Sequence, residues 1–329
     1  MTTLWDTTGT AVVAALAAER RSGGAVTSGL ALTLVVVADE KDVAEAEAAA
    51  TVAASKHPMR ILLVIRRQAE LPVPRLDAEV LIGGRLGPGE AIEMRMYGRL
   101  ALHAESVTLP LLAPDAPVVT WWFGAPPEQI AHDPLGVFAD RRITDVVRIE
   151  DAVDALRQRA IDYAPGDTDL SWTRITPWRA VLASAFDTAE GVSTSTVVRG
   201  NQKDPSALLL AGWLSSRLHM YVPVETQHGR AVGAVSVTFD DGTQFDAHLD
   251  GSRMVLRRSN QPDTASPFPE RGLGDLLAEE LRRLDADETY GDALGAVSDV
   301  SGLNERPAVR EHIWKDPALA SGAAAPAAS

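Results

Sequence analysis

Histidine side chains are the first place to look for chemistry, because an imidazole can exchange a proton near neutral pH or bind a metal ion. None of the seven histidines stands at metal-ligand spacing from another histidine or a carboxylate on one predicted helix or hairpin. His57, which precedes Pro58 at the start of a predicted strand, is the most notable; a structural role at a helix end is the simpler expectation. Residues 287–292, DETYGD, lack the alternating oxygens of a calcium loop and predict a solvated helix end. The sequence therefore predicts no metal site.

Phosphate-binding turns are the second possibility. A dinucleotide-binding fold places glycines between its first buried strand and the next helix. Here the apolar run LTLVVVA (32–38) is followed by Asp39, Glu40 and Asp42, which repel phosphate and complement the helix dipole themselves. The glycine-rich stretch 83–89, GGRLGPG, lies between two predicted strands. With no Walker A sequence, no G-x-S-x-G and no cysteine, we predict no cofactor and no catalytic residue set.

Tryptophan and arginine suit binding more than catalysis. In PVVTWWFGAPP, residues 117–127, strand alternation places Trp121 on one face with Val119 and Phe123, and Trp122 on the other face with Val118 and Thr120. Both rings could be core, but they lie at the carboxyl end of their strand, where open α/β sheets place functional loops. We expect at least one ring to be core, while the other helps to shape a surface for another protein.

Two further residues complete the candidate interface. Trp172 follows a predicted linker and is expected to pack between domains, and Arg199 ends a strand before a capped helix, where it could receive an anion. The paired arginines elsewhere are expected to be ordinary surface residues. Tryptophan and arginine are the side chains that most often anchor protein interfaces. The predicted interface residues are Trp121, Trp122, Phe123, Trp172 and Arg199.

The elements that would position these residues change character near the middle of the chain. The first half alternates strands and helices, which predicts a Rossmann-like, largely parallel sheet with helices on both faces. Its predicted strands are 29–39, 59–67, 77–84, 90–98, 117–123 and 143–149, and its predicted helices are 8–21, 41–57, 99–112, 127–138 and 150–164.

The second half predicts an α+β domain with an antiparallel sheet, because short strands are separated by the hairpin turns DDGT and LDGS. A loop is expected at 260–272 and an acidic helix at 273–289. We divide the chain into an α/β domain at 1–164, an α+β domain at 165–318 and a disordered, low-complexity tail at 319–329.

Net charge and the length of the apolar runs argue against nucleic acid and membranes as partners. The 329 residues carry a net charge of −14, which makes nucleic acid an unfavourable partner. The longest apolar runs are of strand length, far below the ~20 residues of a membrane span, and the amino terminus lacks the pattern of a signal peptide. We therefore expect a cytoplasmic protein that binds no membrane.

Four stretches, taken in order, resemble one bacterial family. These are SKHPMRILLVI (55–65), LPLLAPDAPVVTWWFGAPP (109–127), DLSWTRITPWRAVLASAFD (169–187) and LLLAGWLSSRL (208–218). They resemble the glucose-6-phosphate dehydrogenase assembly protein family, OpcA. The resemblance implies a non-catalytic partner that assembles or activates oligomeric glucose-6-phosphate dehydrogenase, the enzyme that makes NADPH at the entry to the oxidative pentose phosphate pathway. Control through cysteine thiols, described for some members, cannot operate in a chain that has no cysteine.

Two other interpretations stay open at this stage. One is a sugar-phosphate-binding protein or an orphan α/β enzyme with its site at the strand carboxyl ends, using His57, Arg199 and the tryptophan pair. The other is a scaffold for a different protein partner. Binding of a sugar phosphate to the isolated chain would favour the first, and the identity of a captured partner would separate the second from an OpcA-type protein.

Overall fold

The computed structural model describes residues 1–22, 29–67, 72–83, 89–259 and 261–308. An eight-stranded sheet is formed by β1 (Thr2–Leu4), β2 (Leu32–Ala38), β3 (Met59–Arg66), β4 (Arg75–Ile82), β5 (Glu90–Tyr97), β6 (Val118–Trp122), β7 (Arg141–Thr144) and β8 (Asp167–Asp169). The spatial order is β1-β4-β5-β3-β2-β6-β7-β8. Every pair from β5 to β8 is parallel, while β4 and β1 join antiparallel. The predicted largely parallel sheet is confirmed.

Helices cover both faces of this sheet, which explains why all seven residues of β2 are buried. Val35 and Val37 face the side of α1 (Gly9–Ser22), whereas Leu34 and Val36 face the side of α2 (Val43–Lys56). The alternation follows from the period of two along a strand. A continuous apolar run is therefore the sequence pattern of a strand in the middle layer.

The second half builds a six-stranded sheet whose members are β9 (Ser193–Gly200), β10 (Val224–Thr226), β11 (Val232–Phe239), β12 (Gln244–Asp250), β13 (Arg253–Arg258) and β14 (Gln261–Pro267). The order is β10-β9-β11-β12-β13-β14, and every pair is antiparallel except β10 with β9. One face packs on α7 (Thr176–Phe186) and α8 (Pro205–Leu218). The predicted antiparallel sheet is confirmed.

Five predicted elements differ from the structure. Strand β14 replaces the loop expected at 260–272; all seven of its residues are exposed, so no hydrophobic alternation marks it. The helix expected at 99–112 is instead a 3₁₀ turn, the short α3 (Glu105–Thr108) and a second 3₁₀ turn that contains Pro110, a residue that cannot donate a helical hydrogen bond. The helix expected at 127–138 is only the four-residue α4 (Pro134–Val137), which begins at Pro134 after the N-cap Asp133. The helix expected at 150–164 is α5 (Ala152–Asp162).

The strand expected at 143–149 ends at Thr144, because Val146 N donates to Asp169 Oδ2 at 2.9 Å and turns the chain out of the sheet. The single acidic helix expected at 273–289 is two helices, α9 (Leu273–Glu280) and α10 (Glu288–Ser298). Asp287 begins the second one by accepting a hydrogen bond from Tyr290 N at 3.0 Å.

Elements from beyond residue 164 contribute to the first sheet. Strand β8 pairs with β7, and Leu276 and Leu277 of α9 lie in the core cluster formed with α2. The division at residue 164 stays a prediction, and the tail at 319–329 and most of the stretch 83–89 lie outside the described residues. Within the described ranges no helix is both long and apolar enough to cross a bilayer.

Candidate functional site

The tryptophan pair lies in the core on opposite sides of the first sheet. Trp121 and Phe123 belong to the cluster on the α2 side and are 0% exposed. Trp122, at 1%, packs in the cluster on the α1 side together with Val118. The predicted faces are therefore confirmed, and so is the expectation that at least one ring is core. Because all three rings are enclosed, their exposure gives no support to their place in a partner interface, which stays a prediction.

Arg199 lies on the solvent-facing side of the second sheet, within a chain of polar contacts. Its Nη1 donates to Ser236 Oγ at 2.8 Å, and Ser236 Oγ donates to Asp246 Oδ2 at 2.7 Å. Glu225 lies 3.5 Å from Arg199 Nε, and the His248 ring contacts Asp246 at 2.7 Å. The Arg199 side chain is 42% exposed but already paired with carboxylates, so it is better suited to a polar protein contact than to capturing a free anion.

His57 has the structural role that was the simpler expectation. It is the C-cap of α2, and its Nε2 lies 2.8 Å from the carbonyl oxygen of Ala278 in α9. The contact joins two helices that come from opposite halves of the chain.

Ion pairs occupy the carboxyl edge of the parallel strands, where a cofactor phosphate would be received in a dinucleotide-binding fold. Glu40, just after β2, lies 2.7 Å from Arg67 Nη2 and 3.3 Å from Arg95 Nε. The hydrogen bond from Arg67 lowers the pKa of the Glu40 carboxyl, so this residue is a fixed negative charge. The Glu40 carboxylate lies where a cofactor phosphate would bind and would repel it.

Asp169, the buried acid at the end of β8, accepts hydrogen bonds from backbone N–H groups. Burial raises the pKa of the Asp169 carboxyl, and the nearby charge of Asp145 adds to this effect. Asp169 accepts hydrogen bonds from Thr144 Oγ1, Val146 N and Ser171 N at 2.7, 2.9 and 2.9 Å. It thereby caps α6 (Leu170–Arg174), the short helix that carries Trp172.

A cleft of about 860 Å³ opens beside Trp172. Trp172, Thr176 and Arg179 line one side, residues from the segment 279–289 line the other, and Arg141 reaches it from β7. We call this feature the Trp172 cleft. Its volume falls within the range of small-molecule sites. It lies where the first sheet meets the helices of the second half, so residues from both halves form its walls.

Trp172 is a fixed wall of this cleft. Its side chain is 1% exposed, and its Nε1 donates to Asp287 Oδ2 at 2.8 Å. The ring of Tyr290 lies 5.9 Å away, centroid to centroid. The other oxygen of Asp287 caps α10, so one carboxylate fixes both the orientation of the indole and the first residue of that helix. These contacts are with residues of the second half, so the sequence-based expectation that Trp172 packs between the domains stays a prediction.

Arg179 stacks on the indole. Its Cζ lies 3.6 Å from the Trp172 ring centroid, a cation–π geometry. Nη2 donates to Thr176 Oγ1 at 3.1 Å, whereas Nε is enclosed and has no hydrogen-bond partner within the described ranges. Burial lowers the pKa of Arg179 to about 10, against the opposing effect of Asp287 and Glu280. The guanidinium therefore remains charged near neutral pH, and no carboxylate of the described residues is in direct contact with it.

The other charges of the cleft divide into paired and unpaired groups. Glu280 accepts from Arg141 and from Thr173 Oγ1, the latter at 2.7 Å, and Glu279 pairs with Arg271. In the described parts of the chain, four exposed side chains at the cleft have no ion-pair partner; they are Arg282, Arg283, Asp285 and Glu288.

Sequence reasoning missed Arg179 and Asp287 as partners of Trp172. Trp172 and Arg179 lie on two short helices separated at Ile175, and the angle between those helices depends on tertiary packing. The stretch 287–292 was interpreted only as a solvated helix end. The one available signal was the N-cap type of Asp287 before a helical stretch. Across the described ranges, no three histidine or acidic side chains come together as a metal site would require.

Family models match both halves of the chain. Residues 50–161 match the model described as the N-terminal domain of a glucose-6-phosphate dehydrogenase subunit, and residues 165–294 match the corresponding C-terminal domain. Both models carry the OpcA name, and their matches meet near the end of α5.

Curated relatives carry the same family name. The OxPP cycle protein OpcA of Synechococcus elongatus is 32% identical over 117 residues, which is 33% of this chain and 26% of the relative. The OpcA of Nostoc punctiforme is 25% identical over 223 residues, or 60% of this chain and 46% of the relative. The matches thus span less than half of the length of these relatives.

Among solved structures, a 3-ketoreductase from Actinomadura kijaniata aligns with 81% of this chain and 95% of its own. The identity is 11% and the TM-score 0.43, too low for this likeness to bear on activity. The two family models and the cyanobacterial relatives agree with each other and cover both halves, and on these grounds the chain belongs to the OpcA family of glucose-6-phosphate dehydrogenase subunits.

Proposed function

We propose that this protein binds glucose-6-phosphate dehydrogenase in the cytoplasm as a non-catalytic assembly factor and allosteric activator, and so supports NADPH production in the oxidative pentose phosphate pathway. The observation that carries the proposal is that both halves match domains of a dehydrogenase subunit. The ion-paired carboxyl edge around Glu40 agrees with a protein that does no nucleotide chemistry of its own. The alternative of a site at that edge gains no support from its geometry.

A direct test mixes the purified chain with the dehydrogenase. We expect the two proteins to co-elute in size-exclusion chromatography, and we expect the mixture to show a lower KM or a higher kcat than the enzyme alone. The chain by itself should reduce no NADP⁺ when glucose 6-phosphate is supplied. Separate elution together with unchanged kinetics would contradict the proposal.

The open face of the second sheet is the contact surface we propose for this partner. The opposite face is covered by helices, while this one presents the polar chain around Arg199, Ser236 and Asp246 to solvent. The sheet also ends in the fully exposed strand β14, and uncovered strand edges readily pair with other chains. Arg199 is the member of the predicted interface set that the fold leaves accessible.

The matched pair Arg199→Gln and Arg157→Gln tests this surface. Both side chains are exposed and paired with carboxylates, but Arg157 lies on α5, away from the second sheet. If Arg199 is an interface anchor, its replacement should weaken binding by about 2 kcal/mol with the melting temperature preserved. The Arg157 variant should bind like the unaltered chain. Equal affinities for both variants would remove Arg199 from the contact surface while leaving the proposed function to the co-elution test.

A further inference from the structure

The strongest unexplained feature of the molecule is the charge at the back of the Trp172 cleft. A guanidinium that is withdrawn from water loses hydration, and that cost is ordinarily offset by a carboxylate or by a full set of hydrogen bonds. Arg179 has one side-chain hydrogen bond, to Thr176, and an enclosed Nε without a partner within the described ranges. The stacked Trp172 ring stabilises the cation from one face but supplies no acceptor.

The carboxylates closest to this cation are already engaged. Asp287 uses one oxygen for Trp172 Nε1 and the other for Tyr290 N. Glu280 accepts from Arg141 and Thr173, and Glu279 is paired with Arg271. These acids give the cleft a negative background at some distance from Arg179, but in the described structure none of them forms an ion pair with its guanidinium.

The connection between α9 and α10 brings two more arginines to the same cleft. Arg282 and Arg283 line it with exposed side chains, and neither forms an ion pair with a described residue. Asp285 and Glu288 also line the cleft, and their negative charges weaken the binding of an anion there. Among the described residues of the cleft, the unpaired charge thus consists of three guanidinium groups and two carboxylates. The guanidinium least exposed to water, that of Arg179, lies against the Trp172 ring.

We infer that the Trp172 cleft binds a small molecule through an oxyanion group, a phosphate or a carboxylate, with Arg179 as the principal contact and Arg282 and Arg283 as contacts at the rim. A guanidinium presents N–H groups in a planar fork that matches either oxyanion. Stacking on Trp172 fixes the plane of that fork, which reduces the entropy lost when the oxyanion binds. The volume of about 860 Å³ leaves space for the body of a metabolite-sized ligand.

The inference can be tested on the purified full chain without the dehydrogenase, so its outcome is independent of the proposed function. Isothermal titration calorimetry at constant ionic strength would use three probes: inorganic phosphate, glucose 6-phosphate and citrate. We expect saturable binding of at least one probe, together with a rise in melting temperature, because a ligand of the folded state stabilises it. Binding of the phosphate compounds alone identifies a phosphate site, and binding of citrate alone identifies a carboxylate site. Binding of all three supports a general oxyanion site.

Two sets of variants locate the binding. Arg179→Gln should weaken it by about tenfold or more, since hydrogen bonds to a charged group are among the stronger polar contacts. The rim variant Arg282→Gln/Arg283→Gln changes only exposed side chains, so it keeps the inference testable if Arg179→Gln does not fold. It should weaken binding by about threefold or more. Arg253→Gln, which alters an exposed arginine outside the cleft, is the matched control and should bind normally. No saturable binding of any probe, or binding that the rim variant and the control affect equally, would overturn the inference.

Discussion

Single aromatic residues illustrate how strongly the middle layer depends on close packing. Trp122 is 1% exposed, and Gly136 packs so near its ring that a Cβ at that position would lie 3.3 Å from the indole and 1.9 Å from the carbonyl oxygen of Ile130. A β-carbon cannot be accommodated 1.9 Å from a carbonyl oxygen, so glycine is required at this position of α4. The contact of Gly136 with the Ile130 carbonyl therefore excludes any side chain there, and the same glycine lets the α4 backbone approach the Trp122 ring.

Replacing either core tryptophan should lower stability without altering partner affinity. Trp121→Ala and Trp122→Ala each remove a fully buried indole, which typically costs about 3–5 kcal/mol of unfolding free energy. Trp5→Ala, at a tryptophan that is 71% exposed, is the matched control and should change stability little. Urea denaturation measures the first effect, and binding to the dehydrogenase per folded molecule measures the second. Loss of affinity with normal stability would place the altered tryptophan in the interface after all.

At the level of elements, Asp287 connects two helices through one carboxylate. Asp287→Ala removes the N-cap of α10 and leaves the buried Trp172 Nε1 without its acceptor. We expect the free energy of unfolding to fall by about 2 kcal/mol, from the lost cap and the unsatisfied indole N–H. Asp285→Ala, two residues earlier in the exposed connection, should have a much smaller effect in the same denaturation experiment. A loss for Asp287→Ala no larger than that for Asp285→Ala would contradict a stabilising role of these two hydrogen bonds.

The sequence predicts an element well where its signal is local. Strand β2 is a continuous apolar run because helices cover both its faces, and the alternation in β6 places Trp121 and Trp122 on the correct sides. Strand β14 has no such signal, since its pairing with β13 depends on backbone groups and its side chains are all exposed. The contact of Trp172 with Arg179 depends on the angle between two short helices, which only tertiary packing determines.

For the whole molecule, the decisive contact is the one between α9 and α2, because it joins the second half of the chain to the core around the first sheet. Leu276 and Leu277 are buried there, and Lys56 pairs with Asp275 at 2.6 Å on the outside. The His57 contact with the Ala278 carbonyl lies at the same junction. We therefore expect the two halves to unfold together in one transition.

Gly274 provides a sharp test of that junction. A Cβ at this position would lie 2.5 Å from Val52 Cβ and 2.9 Å from the Ala49 carbonyl oxygen, so Gly274→Ala must push α9 away from α2. Alanine is otherwise the better helix former by about 1 kcal/mol. Overpacking nevertheless should lower the free energy of unfolding by about 1–3 kcal/mol.

The matched control for this change is Gly9→Ala in α1, where the nearest atom to the new methyl group would be 3.6 Å away, an ordinary contact. Urea denaturation followed by tryptophan fluorescence and by circular dichroism should give coincident transitions for both variants, with only Gly274→Ala shifted to lower urea. Stabilisation of the Gly274 variant would contradict the close packing of α9 on α2. Two separate transitions in the unaltered chain would show that its halves are independent, because a junction that couples them requires both to lose structure at the same urea concentration.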